Sequence, residues 1–264
     1  MVNKLYKTIH NKYLKFFRFI FFIRYLFAIF GISIALFLII PNYFNYEKRA
    51  ELIKKHLLNN YNFEIKNYEK IKFTALPIPR LEISNIQINF KSSDIKSTIE
   101  NLKIYPKFLS IYNYDKFQTN KIVLKNSNMI LNTTDLRFFV NHIIKNKKNL
   151  ALDDLNLVIK NDNMSIIKLE NIKFYNYGYN KNLISGHIFG EKFETKIKKD
   201  FKSLNFKLFN SGINADIDFE KNKKKDLISG TFQSKILNSK LKFNFDYDNK
   251  ELNIFDSYFR SKNL

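Results

Sequence analysis

The chain contains no cysteine. A disulfide framework, a thiolate metal site and a cysteine nucleophile are therefore excluded. Glycine and proline are scarce, six and four in 264 residues, which leaves little room for a glycine-rich phosphate loop or a linker-rich, low-complexity chain. Chemistry-bearing residues are thin as well. The four histidines, His10, His56, His142 and His187, are scattered, with no i, i+4 partner and no HExxH context, so they do not read as metal ligands. No GxSxG, Walker or dinucleotide fingerprint is present. The paired carboxylates are Asp153-Asp154, Asp216/Asp218 and Asp246/Asp248. The last two pairs sit at i, i+2 and share a strand face. With Lys and Asn around them they read as solvated faces or turns rather than acid/base pairs. The expectation is a protein that is not an enzyme and has no catalytic residue, metal or cofactor. A membrane-anchored enzyme would need carboxylates or histidines converging in a pocket.

What the chain does hold is apolar and basic. Hydrophobic residues make up 45% and aromatics 16%, with 28 Phe and 15 Tyr, so general disorder is excluded. The 45 basic against 24 acidic residues give +21, which taken alone points to an anionic partner, nucleic acid or membrane lipid. A second source competes: Lys, Asn (35 residues), Ile, Phe and Tyr are inflated together, and all have A/T-rich codons. Basic–aromatic runs such as Lys173-Phe-Tyr and Lys207-Leu-Phe could stack on single strands. Their alternating register and the preceding anchor favour strand patterning, so no nucleic-acid partner is expected. Asn132-Thr-Thr and Asn163-Met-Ser match the glycosylation pattern, as chance provides in so Asn-rich a chain.

Residues 1–46 carry Lys4, Lys7, Lys12, Lys15, Arg18 and Arg24 and no carboxylate. Tyr25 to Tyr46 then runs without formal charge, and Tyr25–Ile40 is almost wholly apolar. With Phe19–Ile23 before it and Arg24 able to snorkel, the stretch reaches the roughly 20 residues a membrane helix needs. A buried core helix would show one polar stripe, and none is present. A cleaved signal peptide would have a shorter apolar region ending at small residues, whereas Pro-Asn-Tyr-Phe-Asn-Tyr follows here. The expected division is a basic cytoplasmic segment (1–20), a transmembrane helix (21–41), a short amphipathic helix (46–60) and a β-rich extracytoplasmic domain (61–264). The basic bias places the N-terminus in the cytoplasm.

In Glu47–Tyr61 the apolar residues Ala50, Ile53, Leu57 and Leu58 have helical spacing. After it the period becomes two. Apolar residues alternate with polar ones in Leu81–Phe90, Ile99–Tyr105, Lys121–Leu124, Leu155–Ile159 and Ile167–Phe174, and again in Leu204–Leu208, Ile213–Phe219 and Leu241–Tyr247. Two helical insertions are expected, near Pro106–Tyr112 and at Thr134–Lys147. Leu-Ile-Ser-Gly occurs at Leu183–Gly186 and again at Leu227–Gly230, each followed by strand-like segments. Together these predict a mainly β protein: a curved, repetitive antiparallel sheet with a few short helices. The chain stops at Ser257–Leu264 directly after a strand-like run, so a partial chain or an edge covered by a partner is expected.

The order of features in 47–131 resembles a known family. A span is followed by a short helix (Ala50–Asn59), a polar strand around Phe63–Lys70, and the Phe73-Thr-Ala-Leu-Pro-Ile-Pro-Arg-Leu-Glu-Ile step into an L-x-I-x-x-I-x-I strand. A strand with Ile99, Leu102 and Ile104, a Pro-Lys-Phe-Leu-Ser turn at Pro106–Ser110, then Ile122-Val-Leu and Met129-Ile-Leu complete it. This is similar to the N-terminal region of the AsmA family of bacterial envelope proteins, itself similar to TamB-like lipid carriers. The family's glycine before the first strand is replaced by Asn or Phe around Tyr61–Phe63. The resemblance implies a curved β-groove on one inner-membrane anchor, reaching into the periplasm. It also implies roles in phospholipid transport or homeostasis between inner and outer membranes, or in outer-membrane assembly.

A sheet with one apolar face must bury it. Either a second sheet or the helices cover it, or it lines a groove for acyl chains. The groove reading names Ile83, Ile86, Ile88, Ile104, Leu124, Phe206, Leu208, Leu241, Phe243 and Phe245 as lining residues, with phospholipid or another envelope lipid as partner. Lys48, Arg49, Lys54 and Lys55, near the membrane exit, would contact anionic head groups at about 1 kcal/mol each. The alternative is a non-catalytic assembly factor whose sheet edge pairs with envelope or outer-membrane proteins by strand addition. The topology is open to a direct test. Reversing the charge of Lys4, Lys7, Lys12 and Lys15 weakens the bias toward a cytoplasmic N-terminus. The wild-type bulk domain is expected to be cut by protease added outside the cytoplasmic compartment, and the variant to show a protected fraction.

Overall fold

The computed structural model describes residues 2–90, 95–107, 109–113, 116–161, 164–198, 202–220, 227–248 and 251–261. Phe108 of the Pro106–Tyr112 segment, Asn163 of the second Asn-x-Ser pattern and residues 262–264 of the last segment lie outside the described residues. Helix α1 (Val2–Ile39) runs into a 3₁₀ turn (Ile40–Tyr43) and then α2 (Ala50–Tyr61). The strands that follow are β1 (Phe63–Asn67), β2 (Lys70–Thr74), β3 (Arg80–Phe90), β4 (Lys96–Pro106) and β5 (Thr119–Asn132). Helix α3 (Thr133–Ile144) leads to β6 (Asn149–Asn161), β7 (Met164–Tyr175), β8 (Leu183–Ile188), β9 (Glu191–Lys198) and β10 (Ser203–Leu208). The chain continues with β11 (Ile213–Phe219), β12 (Ile228–Ile236), β13 (Ser239–Tyr247) and β14 (Leu252–Ser261).

Among the described residues 14 strands form one open sheet, ordered β1-β3-β4-β5 and then consecutively to β14, with β2 also paired to β3. The mainly β architecture with an N-terminal apolar helix is as expected, but the sheet is not a uniform meander. β5 and β6 are parallel, with Leu124 beside Leu152 and Leu131 beside Ile159. Parallel neighbours need a crossover, which α3 supplies. The single strand expected around Phe63–Lys70 is two, β1 and β2, which pair with opposite ends of β3: Phe63 with Phe90, Phe73 with Leu81. Among the described residues the helix expected near Pro106–Tyr112 is not formed. Pro106 ends β4, and the described residues 109–112 make turns in which Ser110 N donates to Lys107 O (2.8 Å) and Tyr112 N to Leu109 O (3.2 Å). The Ser110 hydroxyl takes the Gln118 amide at 2.5 Å, a local bond that competes with helix.

Helix α2 ends at a left-handed residue. Asn62 is left-handed (φ 54°, ψ 28°), and its amide reaches the Leu57 and Leu58 carbonyls. Asn is among the residues best able to take that role.

One feature crosses five strands. In β3 the core residues run Leu81, Ile83, then Ile86 and Ile88, with two intervening residues in place of one. The same double step separates Ile99 from Leu102, Leu124 from Ser127, Leu152 from Leu155 and Leu169 from Ile172. Four strands carry a left-handed residue at the step: Asn85 (φ 47°), Asn126 (51°), Asp154 (61°) and Asn171 (51°). From β3 to β6 the steps lie side by side, so pairing is in the same register above and below them: Ser84 with Asn101 and Ile86 with Ile99, then Lys125 with Asp153 and Ser127 with Leu155. A step in one strand alone would turn every later side chain to the wrong face. Stepped together, the strands keep one continuous apolar face.

Leu102 is wholly buried within this face. Leu102→Ala is expected to lower stability by about 2–5 kcal/mol. Asn126→Val, which forces a β-branched residue into left-handed backbone, is expected to cost about 1–3 kcal/mol. Urea denaturation of the detergent-solubilised full chain measures both.

Candidate functional site: an apolar face covered over half its width

The first half of the face is closed by protein. Ala50, Ile53, Leu57 and Tyr61 of α2, Phe139 and Ile143 of α3, and Ile111 and Phe117 of the β4–β5 connection share one buried cluster with the inward residues of β1–β7. Rings join cover to sheet: Tyr61 stacks on Phe63 at 6.1 Å, and Phe139 meets Phe90 edge-on at 5.7 Å. Several polar side chains of the cover are paired. His142 Nε2 donates to the Tyr61 carbonyl at 2.8 Å. His56 Nε2 and the Tyr61 hydroxyl lie 3.1 and 3.0 Å from Thr119 Oγ1. Burial lowers the pKa of both histidines, and Lys148 lowers that of His56 further.

Beyond β7 the cover ends while the apolar face continues. Cross-strand register aligns Phe193, Leu208 and Ile213, then Ile197, Leu204, Ile217, Phe232 and Phe243. Exposure rises outward along this face. Phe193 and Ile197 of β9 are buried, Phe206, Leu208, Leu241, Phe243 and Phe245 are half-buried, and Ile254 and Phe259 of β14 are 53% and 60% exposed. Rings pair across strands along the strip, with Phe193 stacked on Phe206 at 5.9 Å and Phe232 on Phe243 at 4.7 Å. The repeated tetrapeptide serves this face. Gly186 of β8 and Gly230 of β12 both point inward under a ring. A Cβ there would stand 3.2 Å from the Phe193 ring and 3.1 Å from the Phe245 ring, and 2.3 Å from the Asp218 carbonyl at Gly230.

The ten expected groove residues thus divide. Ile83, Ile86, Ile88, Ile104 and Leu124 are 0–1% exposed and packed under the cover, where nothing from outside reaches them. Phe206, Leu208, Leu241, Phe243 and Phe245 line the uncovered half. The basic set divides too. Lys48 and Lys55 are exposed, and Lys54 pairs with Glu51 at 2.7 Å. Arg49 is not a surface cation: it is buried, lies 4.5 Å over the Phe44 ring and donates from Nη1 to the Ile111 carbonyl. The aromatic wall around it gives a guanidinium a place inside, as a stacked fork.

Sequence reasoning missed the opposite face. Two depressions, of about 790 and 1120 Å³, open there and share Asn128 and Asn156. Asn126 Nδ2 donates to Glu100 Oε2 (2.8 Å), Asn156 Nδ2 to Asn128 Oδ1 (3.2 Å) and Asn171 N to Asn156 Oδ1 (3.2 Å). Lys173 stands 3.6 and 3.7 Å from Asp153 and Asp154. The signal for this polar row was the double step, visible once in the L-x-I-x-x-I-x-I motif and repeated in the next four strands. Asp216 accepts from Asn205 at 2.9 Å and Asp246 from the Ser229 hydroxyl, each beside its own strand neighbour. Among the described residues no group of three or more His, Asp and Glu side chains is placed to hold a metal.

The end of α1 and the 3₁₀ turn after it form a 26-residue candidate span, Arg18–Tyr43, within which an 18-residue stretch has mean hydropathy 2.4 and no buried residue. By length and composition it fits a single membrane span or a signal sequence. Comparison of the chain with family models, curated proteins and solved structures gives no match.

The two lowered histidines make the cover acid-sensitive. A histidine whose folded pKa lies below its unfolded value of about 6.5 contributes stability that is complete above that value and is lost as pH falls below it. The urea midpoint is expected to drop between pH 7.5 and 5.5, and to drop less in the His56→Gln/His142→Gln double variant. A pH slope unchanged by the double substitution would contradict this.

Proposed function

We propose that the chain is a single-pass membrane protein that handles lipid, holding acyl chains on the uncovered half of its sheet. The observation that carries this is the aligned apolar row from β8 to β14, which loses its protein cover strand by strand. An oily strip of this extent left in water is an aggregation liability. Each methylene laid on it gains about 0.8 kcal/mol. Seven strands spaced ~4.8 Å apart give a strip about 29 Å wide, against the ~15 Å depth of one leaflet's hydrocarbon. The resemblance to the AsmA family supports the same reading and adds its setting: a bacterial inner membrane, the N-terminus cytoplasmic, and the sheet in the periplasm serving phospholipid transport or homeostasis. It rests on the order of elements. Lys48 and Lys55, exposed beside the span's exit, are the cations left to meet anionic head groups.

A second reading has its own observation. Among the described residues β14 pairs only with β13, and Phe255 and Tyr258, next to Ile254 and Phe259, leave it with exposed apolar side chains along its whole length. Such an edge can take up another strand, as an assembly factor would require.

Photo-crosslinking in the native membrane distinguishes the two. A benzophenone residue at Phe243 is expected to give lipid adducts, and one at the neighbouring exposed Lys242 none. Equal yields, or no lipid at either position, would refute lipid handling. Polypeptide adducts confined to Tyr258 would favour strand addition.

A further inference from the structure

The four prolines of the chain, Pro41, Pro77, Pro79 and Pro106, gather where α1 meets the base of the sheet. Pro41, Pro79 and Pro106 line one mainly apolar cleft of about 230 Å³ together with Phe37, Leu38 and Ile78, and Asn120 and Lys121 line it too. The Tyr112 hydroxyl donates to the Phe37 carbonyl, and the two rings lie 4.8 Å apart. The sheet is therefore docked beside the last turns of the apolar segment rather than beyond them. Tyr43, 83% exposed, ends that segment about 11 Å past Phe37 along the axis. Tyrosines at span ends sit at head-group level. What stands beside Phe37 is then on the hydrocarbon side of the head groups.

Two connections stand there with apolar side chains turned outward. Leu76 and Ile78 of the β2–β3 loop are 68% and 54% exposed, and Leu109 of the β4–β5 connection is 66% exposed. The loop Ala75-Leu-Pro-Ile-Pro79 has no polar side chain. Its backbone is also prepared for surroundings without water. Pro77 and Pro79 have no N–H to satisfy. Arg80 Nη1 donates to the Leu76 and Ile78 carbonyls at 3.0 and 3.3 Å, while Nε holds Glu82 at 2.6 Å and so balances the guanidinium charge. A loop in water needs no such bracing, whereas backbone groups left unpaired in hydrocarbon are costly.

We propose that the base of the sheet dips into the bilayer, with Leu76, Ile78 and Leu109 among the acyl chains of the leaflet next to the span. The domain is then held by two contacts, one spanning and one interfacial, which fix its tilt. The partner is the lipid surface itself. This inference rests on Arg18–Tyr43 being a retained span.

Because the chain has no cysteine, single substitutions label cleanly. Leu76→Cys, Ile78→Cys and Leu109→Cys each carry an environment-sensitive fluorophore. Ile34→Cys serves as a marker within the span. Met164→Cys, an exposed apolar position at the far edge of the sheet, about 36 Å up β7, serves as a marker in water. The full chain is reconstituted in phosphatidylethanolamine/phosphatidylglycerol vesicles with brominated acyl chains. The three loop probes are expected to be blue-shifted and quenched like Ile34, and Met164 to be neither. Loop probes behaving like Met164 while Ile34 is quenched would overturn the interfacial contact and leave the span standing. An unquenched Ile34 probe would overturn both.

Discussion

An apolar sheet face has to lie against something, and this chain carries helices for only part of its own. α2, α3 and the β4–β5 connection seal β1–β7 into a core whose inward residues are nearly all inaccessible. From β8 onward the same alternation continues without a lid. The molecule is thus a folded domain at one end and an exposed oily ribbon at the other, built from one unbroken sheet. The covered end supplies the stability that lets the ribbon remain a sheet. The ribbon's own stacked phenylalanines, with glycines beneath them, contribute the local rigidity.

Scarcity of glycine shapes how this is achieved. Among the described residues nine non-glycine residues have positive φ, and Asn or Asp occupies seven of these positions. Asn62 ends α2, Asn182 precedes β8, and Asn85, Asn126, Asp154, Asn171 and Asp256 make the steps within strands. The abundance of Asn in the composition therefore has a structural use whatever its origin. The shared step in β3–β7 also gathers polar side chains into a hydrogen-bonded row on the face opposite the core. One irregularity in each strand becomes a single feature of the sheet.

Much of this was legible. The uncharged run after Arg24, the helical spacing of Ala50, Ile53 and Leu57, and the alternation of Leu241–Tyr247 each describe a local period, and each is present in the structure. What local period does not report is what lies against a face. Ile83 and Phe243 have the same sequence surroundings, an apolar residue between polar ones, yet one is sealed and the other open. The direction of β6 was hidden for the same reason: Thr134–Lys147 announces a helix, but not that the next strand runs parallel to β5. Arg49 was misread because a cation near a span suggests head groups, while Phe44 and the Ile111 carbonyl, 62 residues away, provide an interior site.

The claim on which the account depends is that the β8–β14 half of the face is a lipid surface rather than an unfinished core. Native mass spectrometry of the full chain, released from nanodiscs made with defined phospholipids, addresses it directly. The wild type is expected to retain lipid, and a Phe206→Asp/Phe243→Asp variant with unaltered circular dichroism is expected to retain less. Equal lipid occupancy in the two, or none in either, would contradict the account.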